Sequence, residues 1–155
     1  MMGISLLIYQ RDQRDTNLVQ RMAHLPFSKN IISETEKNTF FRKVLFTGTQ
    51  SQLVVMDIPP GGEVGEETHK RTEQTLFFMS GTGKALLDGN ATAIGAGDVV
   101  VVPPGTKHNF MNTGTSSLKI YTIYAPANHI DGRTHITKAD ADKDVEDEAF
   151  GERQK

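Results

Sequence analysis

The sequence predicts an all-β protein built as one sandwich or barrel, and three observations carry that prediction. Eight short runs rich in Val, Ile, Phe, Tyr and Thr succeed one another between residues 42 and 126, each closed by Gly, Pro, Asn or Asp. Asp88-Gly89-Asn90 is a tight hairpin signal, because Asp-Gly tolerates the positive φ angles that a two-residue turn demands. No long helical period separates the runs, which leaves a closed or doubled sheet as the way to bury them.

Taken in order, residues 1–23 carry the apolar start ISLLIY and then QRDQRDTNLVQRM, a polar stretch with weak helical spacing. This reads as an N-terminal arm, either loosely held or lent as a strand to a neighbouring subunit. The barrel is expected over 24–128. Its strands are read in RKVLFTG (42–48), SQLVVMDIPPGG (51–62), QTLFFMSG (74–81), GKALLDGN (83–90), TAIGAGD (92–98), VVVVPPG (99–105), HNFMNTG (108–114) and SLKIYTIYAP (117–126). The PPGG and GAGD stretches are turns by the same chemistry as the hairpin. Residues 129–155 are polar and mostly acidic after 139. KADADKDVEDEAF suits a short helix, but the part beyond 140 is expected to be a solvated tail.

Composition sets the outer limits. At 155 residues the chain fits one domain with a sizeable core, and it has no cysteine, which excludes disulfides, thiolate metal sites and cysteine nucleophiles. A net charge of -2 with no basic stripe gives no reason to expect nucleic acid. ISLLIY is too short to cross a bilayer and lacks the flanks of a signal peptide, so a soluble cytoplasmic protein without membrane partners is expected.

Two stretches carry chemistry. In GDVVVVPPGTKHNFMN (97–112) the Pro103-Pro104-Gly105 turn ends one strand, and His108 begins the next, where it can point into a barrel. In EETHKRTEQTLFFMSG (66–81) Glu67 and His69 are two apart and project to one side of an extended segment. Past a short bend Gln74, Leu76 and Phe78 share a face, with Gln74 at the mouth of its strand. Glu67, His69, Gln74 and His108 together suit one divalent metal. Two histidines and one carboxylate among them also make the triad of non-haem iron sites. Glu66 is the rival of Glu67, and the two-residue spacing to His69 favours Glu67. Glu73 is the rival of Gln74. His24, His129 and His135 are expected at the surface, because nothing pairs with them at ligand spacing. Phe78, Phe110, Arg42 and Tyr124 are the pocket candidates, each with a plain structural role as its alternative. Lys43 and Tyr121 are read as structural or exposed.

Both stretches resemble the two motifs of the cupin superfamily, over roughly residues 43–125. The second motif, G-x5-P-x-G-x2-H-x3-N, is met at every fixed position by Gly97, Pro103, Gly105, His108 and Asn112. The first, G-x5-H-x-H-x4-E-x6-G, is met by Gly61, His69 and Gly81, with Glu67 at the first histidine and Gln74 at the glutamate. Counting back seven from Gly81 selects Gln74 over Glu73. The departures keep one negative ligand and move it across the site. The resemblance implies a double-stranded β-helix, or jelly-roll, barrel holding one divalent transition metal (Zn, Ni, Mn or Fe). Cupins of the phosphomannose-isomerase type also combine glutamine, glutamate and two histidines, and short cupins that open unsaturated uronate rings have glutamine at the Gln74 position.

The resemblance therefore implies a small-molecule enzyme acting on a sugar or sugar-acid/keto substrate by isomerisation or elimination, with the metal as a Lewis acid. An iron dioxygenase and a small-molecule binding or sensing module without turnover are the two alternatives. The expected ligand is anionic or carbonyl-bearing, and the expected assembly a homodimer through an open sheet edge.

Overall fold

A computed structural model of the chain describes residues 25–153; the expected N-terminal arm and His24 lie outside them. Helix α1 (Ile31–Lys37) comes first. Its start is local chemistry: the Ser33 N–H donates to the Asn30 side chain at 3.0 Å, satisfying one of the free amides of the first turn. At its far end Lys119 Nζ donates to the Asn38 carbonyl and, at 2.7 Å, to Asp57, so the helix is tied onto the sheet below it.

The strands are β1 (Arg42–Thr47), β2 (Gln52–Ile58), β3 (Glu67–Thr68), β4 (Glu73–Ser80), β5 (Thr82–Leu87), β6 (Asn90–Gly95), β7 (Val99–Val102), β8 (Lys107–Asn112), β9 (Leu118–Ala125) and β10 (Thr134–His135). They form a six-stranded sheet, β10-β1-β2-β9-β4-β7, facing a four-stranded sheet, β3-β8-β5-β6. This is the expected all-β double-stranded barrel, and all eight strands read from the sequence are present. The Asp-Gly turn is confirmed in detail: Asp88 and Gly89 have φ of 47° and 82°, and Leu87 pairs with Asn90 across it. Gly81 joins the two sheets with φ 91°. A Cβ there would lie 2.6 Å from the Ser117 carbonyl oxygen, so the crossing has room for no side chain.

The core lies between the sheets and follows strand alternation. Gln74, Leu76 and Phe78 of β4 face inward, as do His108, Phe110 and Asn112 of β8. Val54, Met56, Ile58, Leu118 and Ile120 from β2 and β9 complete the apolar part. Burial of each large side chain contributes about 1.5–3 kcal/mol. Asn112 is polar and buried because it is fully used: its Nδ2 donates to the Ile58 and Ser116 carbonyls at 2.8 Å each.

Residues 129–153 correct the expectation of a solvated tail. Strand β10 pairs with β1, and helices α2 (Lys138–Lys143) and α3 (Val145–Arg153) fold back toward the barrel mouth. Gln52, buried at the start of β2, anchors the return. Its Nε2 donates to the His129 carbonyl at 2.7 Å, and its Oε1 accepts from the Asn128 and His129 amides. Nor are His129 and His135 surface groups: they are 5% and 3% exposed, bonded to Asp147 at 2.7 Å and Asp144 at 2.9 Å. Each partner carboxylate is many residues downstream, where no fixed spacing announces it. No helix among the described residues is long and apolar enough to cross a membrane.

Candidate metal centre

Backbone pairing brings the two chemical stretches together. Glu67 of β3 lies opposite His108 of β8, and the Gly105 N–H donates to the His69 carbonyl at 2.7 Å. The loop before β3 is pinned to the same strand: Asn109 donates to Glu63 at 2.8 Å and accepts from the Gly65 amide at 2.9 Å. The turn chemistry of the second stretch thus fixes where the first one sits.

Glu67 Oε2 is 3.3 Å from His69 Nε2 and 4.0 Å from His108 Nε2. The two imidazole centroids are 5.1 Å apart. One donor atom from each of Glu67, His69 and His108 falls within 4.8 Å of the others, a spacing that can hold a metal ion. Gln74 of β4 enters from the opposite sheet, paired with Tyr124, whose ring meets His69 edge-on at 5.9 Å.

Hydrogen bonds set the orientation of the donors. His108 Nδ1 lies 2.8 Å from the Thr106 carbonyl, which can only accept, so Nδ1 carries the proton and Nε2 a lone pair. The Thr122 hydroxyl donates to the Thr75 carbonyl at 2.9 Å and therefore accepts from Gln74 Nε2 at 3.2 Å. The amide nitrogen is thereby committed and Gln74 Oε1 is the free end. Among the described residues His108 Nε2 and Gln74 Oε1 are buried without a hydrogen-bond partner, and His69 Nε2, also buried, faces the Glu67 carboxylate at 3.3 Å.

Electrostatics suit ligation. Burial alone would raise the pKa of Glu67, but the His69 imidazole and the Arg42 guanidinium, 3.6 Å away, outweigh it and hold the carboxyl at about 2. Burial depresses His108, only partly offset by the Thr106 carbonyl, so its imidazole is neutral. Tyr124 is pushed up by burial and keeps its proton.

A cavity of about 380 Å³ reaches Glu67 and His69 of the cluster, while Gln74 and His108, each 1% exposed, are not part of its lining. Arg42, Glu67 and His69 line it from the barrel, and Asn128, His129 and Asp147 from the C-terminal segment. Of the pocket candidates, Arg42 is in its wall. Tyr124 is fully buried between His69 and His129, 5.0 Å edge-on to the latter. Phe78 and Phe110 do not line this cavity; they pack on each other at 5.7 Å in the core, Phe78 two inward positions beyond Gln74 and Phe110 one beyond His108. Sequence reasoning missed Asn128, His129 and Asp147, for which no local signal exists.

A model of the Cupin domain family matches residues 54–124. The chain is 38% identical to the Bacillus subtilis protein YrkC over 122 residues, 75% of this chain and 66%, just under two thirds, of that protein. It is 34% identical to protein L612 of Acanthamoeba polyphaga mimivirus over 70% of this chain and 71% of that protein. The crystal structure of BH2720 from Bacillus halodurans superposes with a TM-score of 0.75 at 36% identity, covering 76% of this chain and 94% of that one. With the motif glycines, proline, histidine and asparagine placed as described, the chain belongs to the cupin superfamily.

Proposed function

We propose that the chain is a metal-dependent protein acting on a small carbonyl-bearing molecule of the sugar or sugar-acid class, by isomerisation or elimination. One divalent ion is held by Glu67, His69, Gln74 and His108. The observation that carries this reading is a pair of buried acceptor atoms with no hydrogen-bond partner among the described residues, His108 Nε2 and Gln74 Oε1, together with the Glu67 carboxylate, which His69 Nε2 approaches to 3.3 Å. Leaving a buried polar atom unpaired costs about 1–3 kcal/mol, so two such acceptors with a carboxylate fit a site built for a cation. When bound, the ion supplies Lewis acidity toward a carbonyl oxygen and, with a single carboxylate ligand, keeps a net charge of about +1. Arg42, only 7% exposed in its side chain, adds a fixed cation to the wall.

The cavity narrows the ligand. Its volume suits one small molecule. Its exposed lining includes Glu66, paired with Lys107 at 3.0 Å, and Asp142, paired with Lys138 at 2.8 Å, so the entrance is polar and its charges are largely balanced. A hydroxyl-rich carbonyl compound fits such a lining.

Elemental analysis of the purified protein tests the reading. The wild type is expected to hold about one divalent ion per chain, and Glu67→Ala and Gln74→Ala to lose it. Full retention in either variant removes that residue from the site. The Glu67–His69–His108 subset favours a second reading, an iron dioxygenase. Oxygen-dependent turnover with Fe(II) alone would put it in place of the first. A homodimer belongs to the proposal as well: among the described residues β7 is an edge strand of its sheet, with Val99 and Val101 53% and 51% exposed. Light scattering is expected to give twice the chain mass, and a monomer would refute it.

A further inference from the structure

His129 sits in the cavity wall, outside the segment matched by the family model, and the metal reading makes no use of it. Its side chain is only 6% exposed. Nδ1 lies 2.7 Å from Asp147 Oδ2, while Asp147 Oδ1 accepts the Ile130 amide at 2.8 Å, so the carboxylate is fixed from two sides. A carboxylate so placed selects the tautomer with the proton on Nδ1. Nε2, on the other side of the ring, is buried and has no hydrogen-bond partner among the described residues. Groups of three other elements bear on the ring. The Tyr124 ring of β9 is edge-on at 5.0 Å, and Arg42 of β1 and Glu67 of β3 act on it electrostatically. A neutral, oriented imidazole with a bare nitrogen, in the wall of the cavity that Arg42, Glu67 and His69 also line, is the arrangement of a proton acceptor.

We propose that His129 is the group that takes a proton from the ligand in this cavity, with Asp147 as its positioning residue. The inference rests on the metal reading above. For a hydroxycarbonyl ligand the C–H bond next to the carbonyl breaks and its electron pair forms the C=C bond. The carbonyl π pair moves to oxygen, and the proton goes to His129 Nε2, from which it is returned to the product. Burial, and then Arg42, depress the histidine to about 4, so it meets the ligand unprotonated. The negative charge that the ligand gains on losing its proton is what raises the imidazole enough to hold that proton.

The test uses zinc-loaded protein and acetohydroxamic acid, a small chelator that gives up one proton when it binds a metal through two oxygens. Calorimetry in buffers of different ionisation enthalpy counts the protons released. The wild type is expected to retain the proton, and His129→Gln to release about one proton to buffer and bind about tenfold more weakly or worse. Zinc content is expected to be equal in both. The His129 backbone is held by Gln52 irrespective of its side chain, which favours folding of the variant. Long-range proton–nitrogen NMR on the wild type gives an independent reading: Nε2 should pass from unprotonated to protonated on adding the chelator. In Asp147→Asn the Nδ1–H tautomer should no longer dominate. Equal zinc, equal affinity and equal proton release in wild type and His129→Gln overturn the role of His129 alone, as does an Nε2 that stays unprotonated. A wild type that binds no zinc overturns the metal reading and this inference with it.

Discussion

The two ends of the barrel interior are built from the same strands and treat buried atoms in opposite ways. On β4 the inward face runs Gln74, Leu76, Phe78, and on β8 it runs His108, Phe110, Asn112. At the deep end the atoms are satisfied: Phe78 packs on Phe110, and Asn112 spends its donors on two carbonyls. At the mouth, two inward positions from Phe78 and from Asn112, Gln74 Oε1 and His108 Nε2 have no hydrogen-bond partner among the described residues, nor has the Tyr124 hydroxyl. The deep end holds the fold together. The mouth is held in place by it and presents buried polar atoms that a bound ion or molecule could meet.

Three changes sharpen that contrast. The largest effect belongs to the deep end. Phe110→Ala removes a fully buried ring and is expected to cost about 3–5 kcal/mol by denaturant unfolding, while the variant that remains folded still binds metal. Coupled loss of stability and metal affinity in equal measure would erase the distinction between the two ends.

Acid comes next and acts at the mouth. His129 has a folded-state pKa of about 4, below its ordinary 6.5, so the unfolded chain binds more protons between those values. Stability of the metal-free protein is therefore full above about pH 6.5 and falls as pH drops toward 4, by up to a few kcal/mol. Glu67, held at about 2 against an ordinary 4.5, extends the loss between pH 4.5 and 2. Thermal unfolding at stepped pH reads both windows, and His129→Gln is expected to flatten the upper one. An unchanged slope in that variant would mean the histidine is not buried neutral.

The smallest change tests how the mouth is oriented. Thr122→Val removes the hydroxyl that accepts from Gln74 Nε2 and leaves the amide free to turn. Metal affinity, read by competition with a chelator, should weaken about 10–100-fold with little effect on folding. No change would show that Gln74 holds its direction without that partner.

How much of this was legible beforehand differs between the same two regions. Leu76, Phe78 and Phe110 could be assigned to the interior from period-two alternation between turn residues, a local property of the chain. Glu67 and His69 stand out by their two-residue spacing, and Gln74 and His108 by their places in the two stretches that resemble the cupin motifs. Strand β3 escaped notice because two residues carry no period of their own; only pairing with Thr68–Lys107 and Glu67–His108 defines it. Helix α1 escaped for a similar reason, its seven residues being too few for a long hydrophobic repeat.

The sequence by itself determined the strand grammar, the hairpin at Asp88-Gly89 and the four polar residues brought to the mouth, because backbone preference and side-chain alternation act over a few residues. Only the tertiary structure decided that the acidic C-terminal segment closes over that mouth. Gln52 reaches His129 across 77 positions and Asp147 reaches it across 18, and contacts at such separations follow from packing of the whole chain. A polar stretch that looks solvated in isolation becomes a cavity wall once its carboxylates find buried imidazoles to bind.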